Sequence, residues 1–110
     1  MEFKKIYNKN CESVKIEIEE GGAKVGRAFL YIIKNDLHDK PYGLLEDLFV
    51  EEGFRGKGVG KKLLNAILEE AKKYNCYKLT AQSRHERCPV HDFYKKNGMV
   101  DYGKNFRINL

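Results

Sequence analysis

The chain has 110 residues, of which 42% are hydrophobic and 34% are charged. This length allows one domain with one hydrophobic core, residues 1–110, and the composition is typical of globular rather than disordered chains. The formal net charge is +5, but basic and acidic residues are interleaved, which argues against nucleic acid as the partner. No apolar run approaches the ~20 residues of a membrane-spanning helix, so no membrane partner is expected.

Cysteine usage points to a reducing compartment. The three cysteines, Cys11, Cys76 and Cys88, form no Cys-x-x-Cys pair, which argues against a disulfide framework and a zinc ribbon. The three histidines stand at no spacing typical of metal ligands, so no metal is predicted. The first ten residues lack the apolar stretch of an export signal. We therefore expect a cytoplasmic protein.

Taken in chain order, the hydrophobic pattern predicts strands, then a helix, a strand, a second helix and a final hairpin. Residues 24–34 are apolar on both faces, which predicts a central strand covered on each side. Strands 44–50 and 77–82 flank a helix and should be parallel, with a right-handed crossover. The predicted strands are 13–20, 24–34, 44–50 and 77–82, with a hairpin from 99–101 and 105–110, and the predicted helices are 58–74 and 89–97.

Both predicted helices show recognisable ends or faces. Pro89 suits the first turn of the second helix, and Gly98 suits its C-terminal stop. The first helix is amphipathic and carries its apolar residues on one stripe. The members of that stripe are Val59, Leu63, Ala66, Ile67, Ala71 and Tyr74.

The most informative stretch joins a strand to the first helix, residues 44–64, LLEDLFVEEGFRGKGVGKKLL. Glycines that open a helix leave backbone N–H groups pointing outward at its positive end, which is where phosphate binds. The Walker A spacing fails because Gly58 is followed by Val59 rather than lysine, and the Gly-x-Gly-x-x-Gly spacing is also absent. What remains is Arg55-x-x-Gly58-x-Gly60.

This pattern resembles the pyrophosphate loop, Arg/Gln-x-x-Gly-x-Gly/Ala, of the GNAT superfamily of acetyl-CoA-dependent N-acetyltransferases. The segment HDFYKKNGM, residues 91–99, is similar to the family's second helical motif, Phe-Tyr-x-x-x-Gly-Phe. Together the motifs cover residues 44–110, whereas residues 1–43 match only as generic strands. The resemblance implies an α/β (α+β) fold of the GNAT acyl-CoA N-acyltransferase type. Its mixed central sheet would have a β–α–β core and two main helices.

The resemblance also implies acetyl-CoA as the acetyl donor. Backbone N–H groups of residues 56–60 are expected to bind the pyrophosphate. Whether Lys57, Lys61 or Lys62 contacts a phosphate or only faces solvent stays open. The implied cofactor-binding residues are Leu48, Phe49, Val50, Arg55, Gly56, Lys57, Gly58, Val59, Gly60, Lys61 and Tyr94.

Glu46 is the predicted general base. A carboxylate among apolar neighbours tends towards a raised pKa, as a base acting near neutral pH requires. The string LEDLFV is similar to the strand of polyamine and small-amine acetyltransferases in which an acid at this position accepts the amine proton, often through water. An ion-paired or edge acid is the alternative, with Asp47 or water as the base. By strict alternation, Glu46 shares a face with Leu44, Leu48 and Val50, and Asp47 shares one with Leu45 and Phe49.

The resemblance places at Tyr94 the tyrosine that protonates the coenzyme A sulfur. A phenol of pKa near 10 can give its proton to a thiolate of pKa about 8.5 as charge develops. The alternative is a core aromatic beside Phe93. His91, three residues earlier, could share its face as a second titrating group.

Two further residues of this segment bear on the mechanism. An acyl-enzyme on Cys88 is disfavoured because the family usually transfers the acetyl group directly and no histidine signature accompanies the cysteine. Arg87 departs from the family pattern, which often has an asparagine there that contacts the pantetheine arm.

The sequence thus predicts an N-acetyltransferase that moves an acetyl group from acetyl-CoA to a primary amine by direct attack in a ternary complex. Three alternatives stay open: a protein-lysine or N-terminal acetyltransferase with a protein amine as substrate, a non-catalytic acyl-CoA-binding domain, and a nucleic-acid-binding module. The acceptor is not identified. A homodimer is also open, because a shortened domain would leave apolar sheet uncovered.

Overall fold

The computed structural model describes residues 1–110. It shows a four-stranded sheet, with three strands before one long helix in the chain and the fourth strand after it. The chain forms two compact units, residues 1–80 and 81–110. Neither helix has the length and apolar character that crossing a bilayer requires. The elements are strands β1 (Cys11–Glu20), β2 (Ala23–Ile33), β3 (Tyr42–Val50) and β4 (Leu79–Ala81), helices α1 (Val59–Lys73) and α2 (Cys88–Lys96), and a 3-10 turn (Glu52–Phe54).

The strands lie in the order β1-β2-β3-β4, so β2 is central, as predicted. β1 and β2 form an antiparallel hairpin, and β2 and β3 are also antiparallel. Tyr77 N donates to Pro41 O at 3.0 Å and Gly43 N donates to Lys78 O at 2.9 Å. These bonds advance in the same direction along both segments, so β3 and β4 are parallel, as the predicted β–α–β core requires.

The core lies between α1 and one face of the sheet, the covered face. Residues on this face of the strands alternate with residues on the other face. Burial of each Leu, Ile or Val side chain stabilises the fold by roughly 1.5–3 kcal/mol. Leu64 is buried although the predicted stripe omitted it, whereas Ala66 is only half-buried. The buried hydrophobic residues are Val25, Ala28, Leu30, Ile32 and Leu45 of the sheet and Val59, Leu63, Leu64, Ile67 and Ala71 of α1.

The opposite face of the sheet, the open face, is less covered. Phe29, Tyr31 and Ile33 of β2 are only half-buried on it. The rings of Phe29 and Tyr31 stack with centroids 6.3 Å apart. The prediction that β2 is covered on each side is therefore wrong, because only the α1 side is fully buried.

In residues 81–110, α2 ends in a tight turn at Gly98, whose φ is +92°. Met99 N donates to Tyr94 O at 2.9 Å, which satisfies a terminal helix carbonyl. The hairpin predicted for residues 99–110 is wrong, since no strand forms there. An isolated two-stranded hairpin is marginal in water, and alternation alone supplies no partner strand. The exposed apolar residues of the segment are Val100, Tyr102, Phe106, Ile108 and Leu110.

Candidate functional site

A β-bulge interrupts β3 at its two acids. Phe29 pairs with Glu46, but Arg27 pairs with Phe49, so Asp47 and Leu48 together lie opposite one residue of β2. Asp47 has a φ of +51°, in the left-handed region that aspartate tolerates better than most residues. The extra residue reverses the in–out alternation of the strand beyond Glu46.

This reversal corrects the predicted faces. Glu46 lies with Leu44 on the open face, as predicted, but Leu48 and Val50 turn to the covered face, where Val50 pairs with Gly26. Phe49 pairs with Arg27 on the open face, and the Asp47 side chain also reaches Arg27. The prediction that Leu48 and Val50 accompany Glu46 is wrong, and so is the prediction that Asp47 lies with Leu45. Both carboxylates are on the open face.

Only one of the two acids is paired. Arg27 Nε donates to Asp47 Oδ2 at 2.7 Å, and this hydrogen bond raises the pKa of the arginine. Glu46 is exposed and has no ion-pair or hydrogen-bond partner in the chain. The expectation that Glu46 is buried among apolar side chains is therefore wrong. Its carboxylate is instead exposed to solvent, without a partner from the chain.

A shallow groove of about 450 Å³ runs along the open face beside Glu46. Tyr31, Ile33 and Leu44 give it an apolar floor, and the Glu46 carboxylate stands among its lining residues. Cys11, Glu12 and Ser13 of β1 complete it. A largely apolar surface whose lining includes two acids without ion-pair partners, Glu12 and Glu46, suits a molecule that carries a cationic or protonatable amine.

After β3 the chain continues to α1 through a glycine-rich segment, residues 55–60, which we call the glycine loop. Gly56 and Gly58 have φ of +75° and +81°, so a left-handed backbone requires glycine at both positions. No side chain caps the helix at Gly58, and no acid occupies its first turn. Lys62 N donates to Gly58 O at 3.1 Å as the first helical bond, which leaves the N–H groups before it without helical partners.

The side chains of this loop surround it with positive charge. Arg55 Nε donates to Val50 O at 2.9 Å, and its guanidinium carbon lies 5.6 Å from the Phe49 ring centroid. Lys57 lies 5.5 Å from the Phe54 ring, and Lys61 is exposed on α1. Val59 is buried and Gly60 half-buried, so the first turn of the helix is anchored in the core. A Cβ added at Gly56 or Gly58 would meet nothing within 4 Å, so the space outside the loop is open.

In residues 81–110, Tyr94 lies on α2 and is half-buried. Burial raises the pKa of its phenol, while nearby Arg87 lowers it by a smaller amount. The Phe93 and Tyr94 rings are tilted with centroids 5.7 Å apart. The Tyr94 hydroxyl has no hydrogen-bond partner in the chain, so it remains available as a donor.

His91 has a structural contact that the sequence did not reveal. Its Nε2 lies 2.8 Å from Arg84 O, and because a carbonyl only accepts, the ring donates from Nε2. This contact holds the turn before α2. Cys88 is exposed, with its Sγ 3.9 Å from His85 O.

Arg27 is the residue of this region that sequence reasoning missed. It is paired with Asp47 across a separation of 20 residues. Its guanidinium carbon also lies 4.5 Å from the Phe49 ring centroid. A lone arginine in an alternating strand carries no signal of such contacts. Only the exact register of β2 against a bulged β3 reveals it.

The sequence matches a known family over most of its length. The model of the acetyltransferase (GNAT) family matches residues 2–99. The chain is 34% identical over 96 residues to the uncharacterized N-acetyltransferase YhfO of Bacillus subtilis (strain 168). The match covers 87% of this chain and 64% of the relative, so the chain spans less than two thirds of that protein.

Solved structures share the fold. Glucosamine-6-phosphate N-acetyltransferase from Arabidopsis thaliana superposes with a TM-score of 0.80 at 29% identity, covering 88% of this chain and 66% of that one. AAC(6')-Iy, in complex with the bisubstrate analog CoA-S-monomethyl-acetylneamine, gives a TM-score of 0.78 over 89% of this chain and 69% of that one. At 20% identity the second likeness concerns the fold alone. The predicted α/β fold, a mixed sheet with two main helices, is confirmed.

Proposed function

Because the chain belongs to the acetyltransferase (GNAT) family, we propose that it transfers an acetyl group from acetyl-CoA to a primary amine by direct attack in a ternary complex. The observation that carries the proposal is the open start of α1, where left-handed Gly58 leaves the first helical N–H groups without a side-chain cap. Membership of this family also supports acetyl-CoA as the acetyl donor.

The glycine loop is the proposed pyrophosphate site. The uncapped N–H groups from Gly56 to Gly60 and the positive end of α1 together favour an anion. Arg55, Lys57 and Lys61 add positive charge around the loop. Leu48, Phe49 and Val50 end the strand that precedes the loop, and the backbone of this strand end is the proposed support for the arm of the cofactor. The bound cofactor would supply the thioester carbonyl that the amine attacks.

Glu46 is the proposed general base. Its carboxylate is unpaired, whereas Arg27 occupies the carboxylate of Asp47 at 2.7 Å. In the proposed reaction the amine nitrogen forms a bond to the acetyl carbon and the C–S bond breaks. Glu46 takes the proton that the nitrogen loses, directly or through water. The sulfur leaves as a thiolate.

Tyr94 is the proposed proton donor to that thiolate. Its raised pKa keeps the phenol protonated at neutral pH, as a donor must be. The thiolate takes the phenol proton, and solvent returns a proton to the phenolate. This role comes from the resemblance of residues 91–99 to the family's second motif.

A small-molecule amine is the proposed acceptor, in preference to a protein amine. The related structure from Arabidopsis thaliana is a glucosamine-6-phosphate N-acetyltransferase, and AAC(6')-Iy was solved with an acetylneamine derivative, so both bear on small amines. The unpaired Glu46 beside the groove supports an amine there. A non-catalytic acyl-CoA-binding domain is the alternative, and turnover of an acceptor is the observation that distinguishes the two.

The test is an acceptor screen with detection of free thiol. Glucosamine 6-phosphate, aminoglycosides, diamines, amino acids and basic peptides are offered with acetyl-CoA, and release of thiol that depends on the acceptor supports the proposal. Acetyl-CoA at a hundredfold above its dissociation constant should also stabilise the fold by about 2.7 kcal/mol, and NAD and ATP markedly less. Stabilisation without turnover on any acceptor would favour the binding-only alternative. An equal response to ATP would contradict the donor assignment.

A further inference from the structure

We infer that Arg27 is a positioning residue: it holds the β3 bulge that presents Glu46 and links that bulge to the glycine loop. The inference rests on the proposed function for its catalytic meaning. Its structural part, the restraint of the bulge, stands on contacts within residues 1–80.

The bulge needs a restraint because its backbone is disfavoured. Asp47 has a φ of +51°, a region in which an L-residue with a Cβ is crowded. If Asp47 returned to an ordinary strand conformation, the residues beyond it would shift by one position. Glu46 and Phe49 could then no longer share one face. The orientation of the unpaired Glu46 carboxylate therefore depends on what keeps Asp47 in place.

The restraint comes from the neighbouring strand. Arg27 Nε donates to Asp47 Oδ2 at 2.7 Å, from a position in β2 that pairs with Phe49 just beyond the bulge. The hydrogen bond to Asp47 raises the pKa of Arg27, more than desolvation lowers it. The same contact pairs the Asp47 carboxylate with a cation, so that Glu46 remains the single unpaired acid of the bulge.

Arg27 also reaches towards the loop. Its guanidinium carbon lies 4.5 Å from the Phe49 ring centroid, and that of Arg55 lies 5.6 Å from the same ring. Arg55 in turn donates to Val50 O at 2.9 Å. Arg27, Phe49 and Arg55 thus form a continuous set of contacts from the bulge to the first residue of the loop motif.

These contacts are not needed to hold the fold together. The side chains of Arg27 and Asp47 remain 40% and 50% exposed, and pairs in contact with solvent contribute little to global stability. Lys15 is a matched cation on the same face. It lies 5.5 Å from the Phe29 ring and pairs with Glu17 of its own strand, with no bond to the bulge.

The test compares Arg27→Gln, Arg27→Lys and the control Lys15→Gln by steady-state kinetics on the best acceptor of the screen. Arg27→Gln should lower kcat about 10-fold, because small misplacements of a catalytic group are costly, and should change the KM for acetyl-CoA less. Arg27→Lys should recover only part of kcat, since an ammonium lacks the planar fork. Lys15→Gln should match the parent chain. Arg27→Gln/Asp47→Asn should lose no more than Arg27→Gln alone, because the two residues act through one contact.

A second readout does not depend on activity. Amide hydrogen exchange in residues 44–58 should be faster in Arg27→Gln and unchanged in Lys15→Gln, with equal unfolding midpoints. Parental kcat and parental exchange in Arg27→Gln would overturn the inference, and so would faster exchange with unchanged kcat. If the parent chain acetylates nothing, the proposed function fails by itself. Exchange alone then decides whether Arg27 holds the bulge.

Discussion

The two faces of the sheet are built from the same strands but are specified by different physics. On the covered face, Leu30 and Leu45 pair in register and pack against α1, and both are at most 1% exposed. On the open face, the register is broken, and Glu46, Asp47 and Arg27 occupy the break. Regular alternation therefore marks packing, whereas the proposed chemistry lies where alternation fails.

The bulge allows one strand to supply apolar residues to the covered face and both acids to the open face. One extra residue lets Leu48 return to the covered face while Asp47 joins Glu46 on the open one. The sheet thereby keeps its core and still places two adjacent acids on the same side. A regular strand would have had to bury one of them, at a large desolvation cost.

Adjacent leucines on opposite faces give the largest expected contrast. Leu45→Ala should destabilise the fold by about 2–5 kcal/mol, because it leaves a cavity under α1. Leu44→Ala, on the half-buried groove side, should cost clearly less. Urea unfolding of the two variants measures the difference. Equal losses would mean that the open face is packed as tightly as the covered one.

The two acids of the bulge should differ in function rather than in stability. Glu46→Gln should keep the affinity for acetyl-CoA and lower turnover by about 10²-fold at neutral pH, since it removes the proposed base. The loss should shrink as the pH approaches the pKa of the amine, where free base is already present. Asp47→Asn, which keeps a side chain that tolerates the left-handed backbone, should lose much less. An inactive Asp47→Asn with an active Glu46→Gln would reverse their assigned roles.

Substitutions in the loop that leads from the sheet to α1 should change both the stability of the fold and its response to acetyl-CoA. Gly58→Ala should destabilise by roughly 1–2 kcal/mol because a Cβ is crowded at positive φ. It should also weaken the stabilisation by acetyl-CoA. Gly58→Asn should recover part of the stability. Gly53→Ala is the matched control, since its Cβ meets nothing and its φ lies outside the left-handed region. Thermal shifts with and without acetyl-CoA measure both effects, and an unaltered acetyl-CoA response in Gly58→Ala would argue against a pyrophosphate site there.

Tyr94 should show the smallest effect on stability. Its hydroxyl has no partner in the chain, so Tyr94→Phe should change stability by less than about 1 kcal/mol. Turnover should fall further, because the hydroxyl acts on charge that develops in the transition state. An acyl donor with a better leaving thiol should recover much of that loss. Full activity of Tyr94→Phe with acetyl-CoA would make Tyr94 a packing residue.

Because the pKa of Tyr94 is raised, Tyr94→Phe should also change how the stability of the fold depends on pH. The folded chain keeps the phenol proton at pH values where the unfolded chain has released it. The stability linked to this proton is therefore complete below about pH 10 and is lost as the pH rises further. The decline of stability in alkaline solution should be less steep in Tyr94→Phe than in the parent chain. Identical alkaline unfolding curves would contradict the assigned shift.

The elements that the sequence predicted well are those with a strong periodic pattern. The helices, the first three strands and the glycine loop lie within a few residues of their expected bounds, because burial on one side enforces their period. The roles of Glu46 and Tyr94 remain predictions. The final hairpin was wrong because residues 99–110 alternate correctly but find no partner strand, and pairing is not a local property.

The amphipathic strands and helix, the glycines of the loop and the two acids ahead of it were predictable from the residues alone. These features follow from local sterics and from the period of apolar residues. Which of the two acids is unpaired could be established only from the folded chain. The reason is that Arg27 meets Asp47 across 20 residues of chain, through a register that one extra residue in β3 has shifted. Cross-strand pairing sets that register.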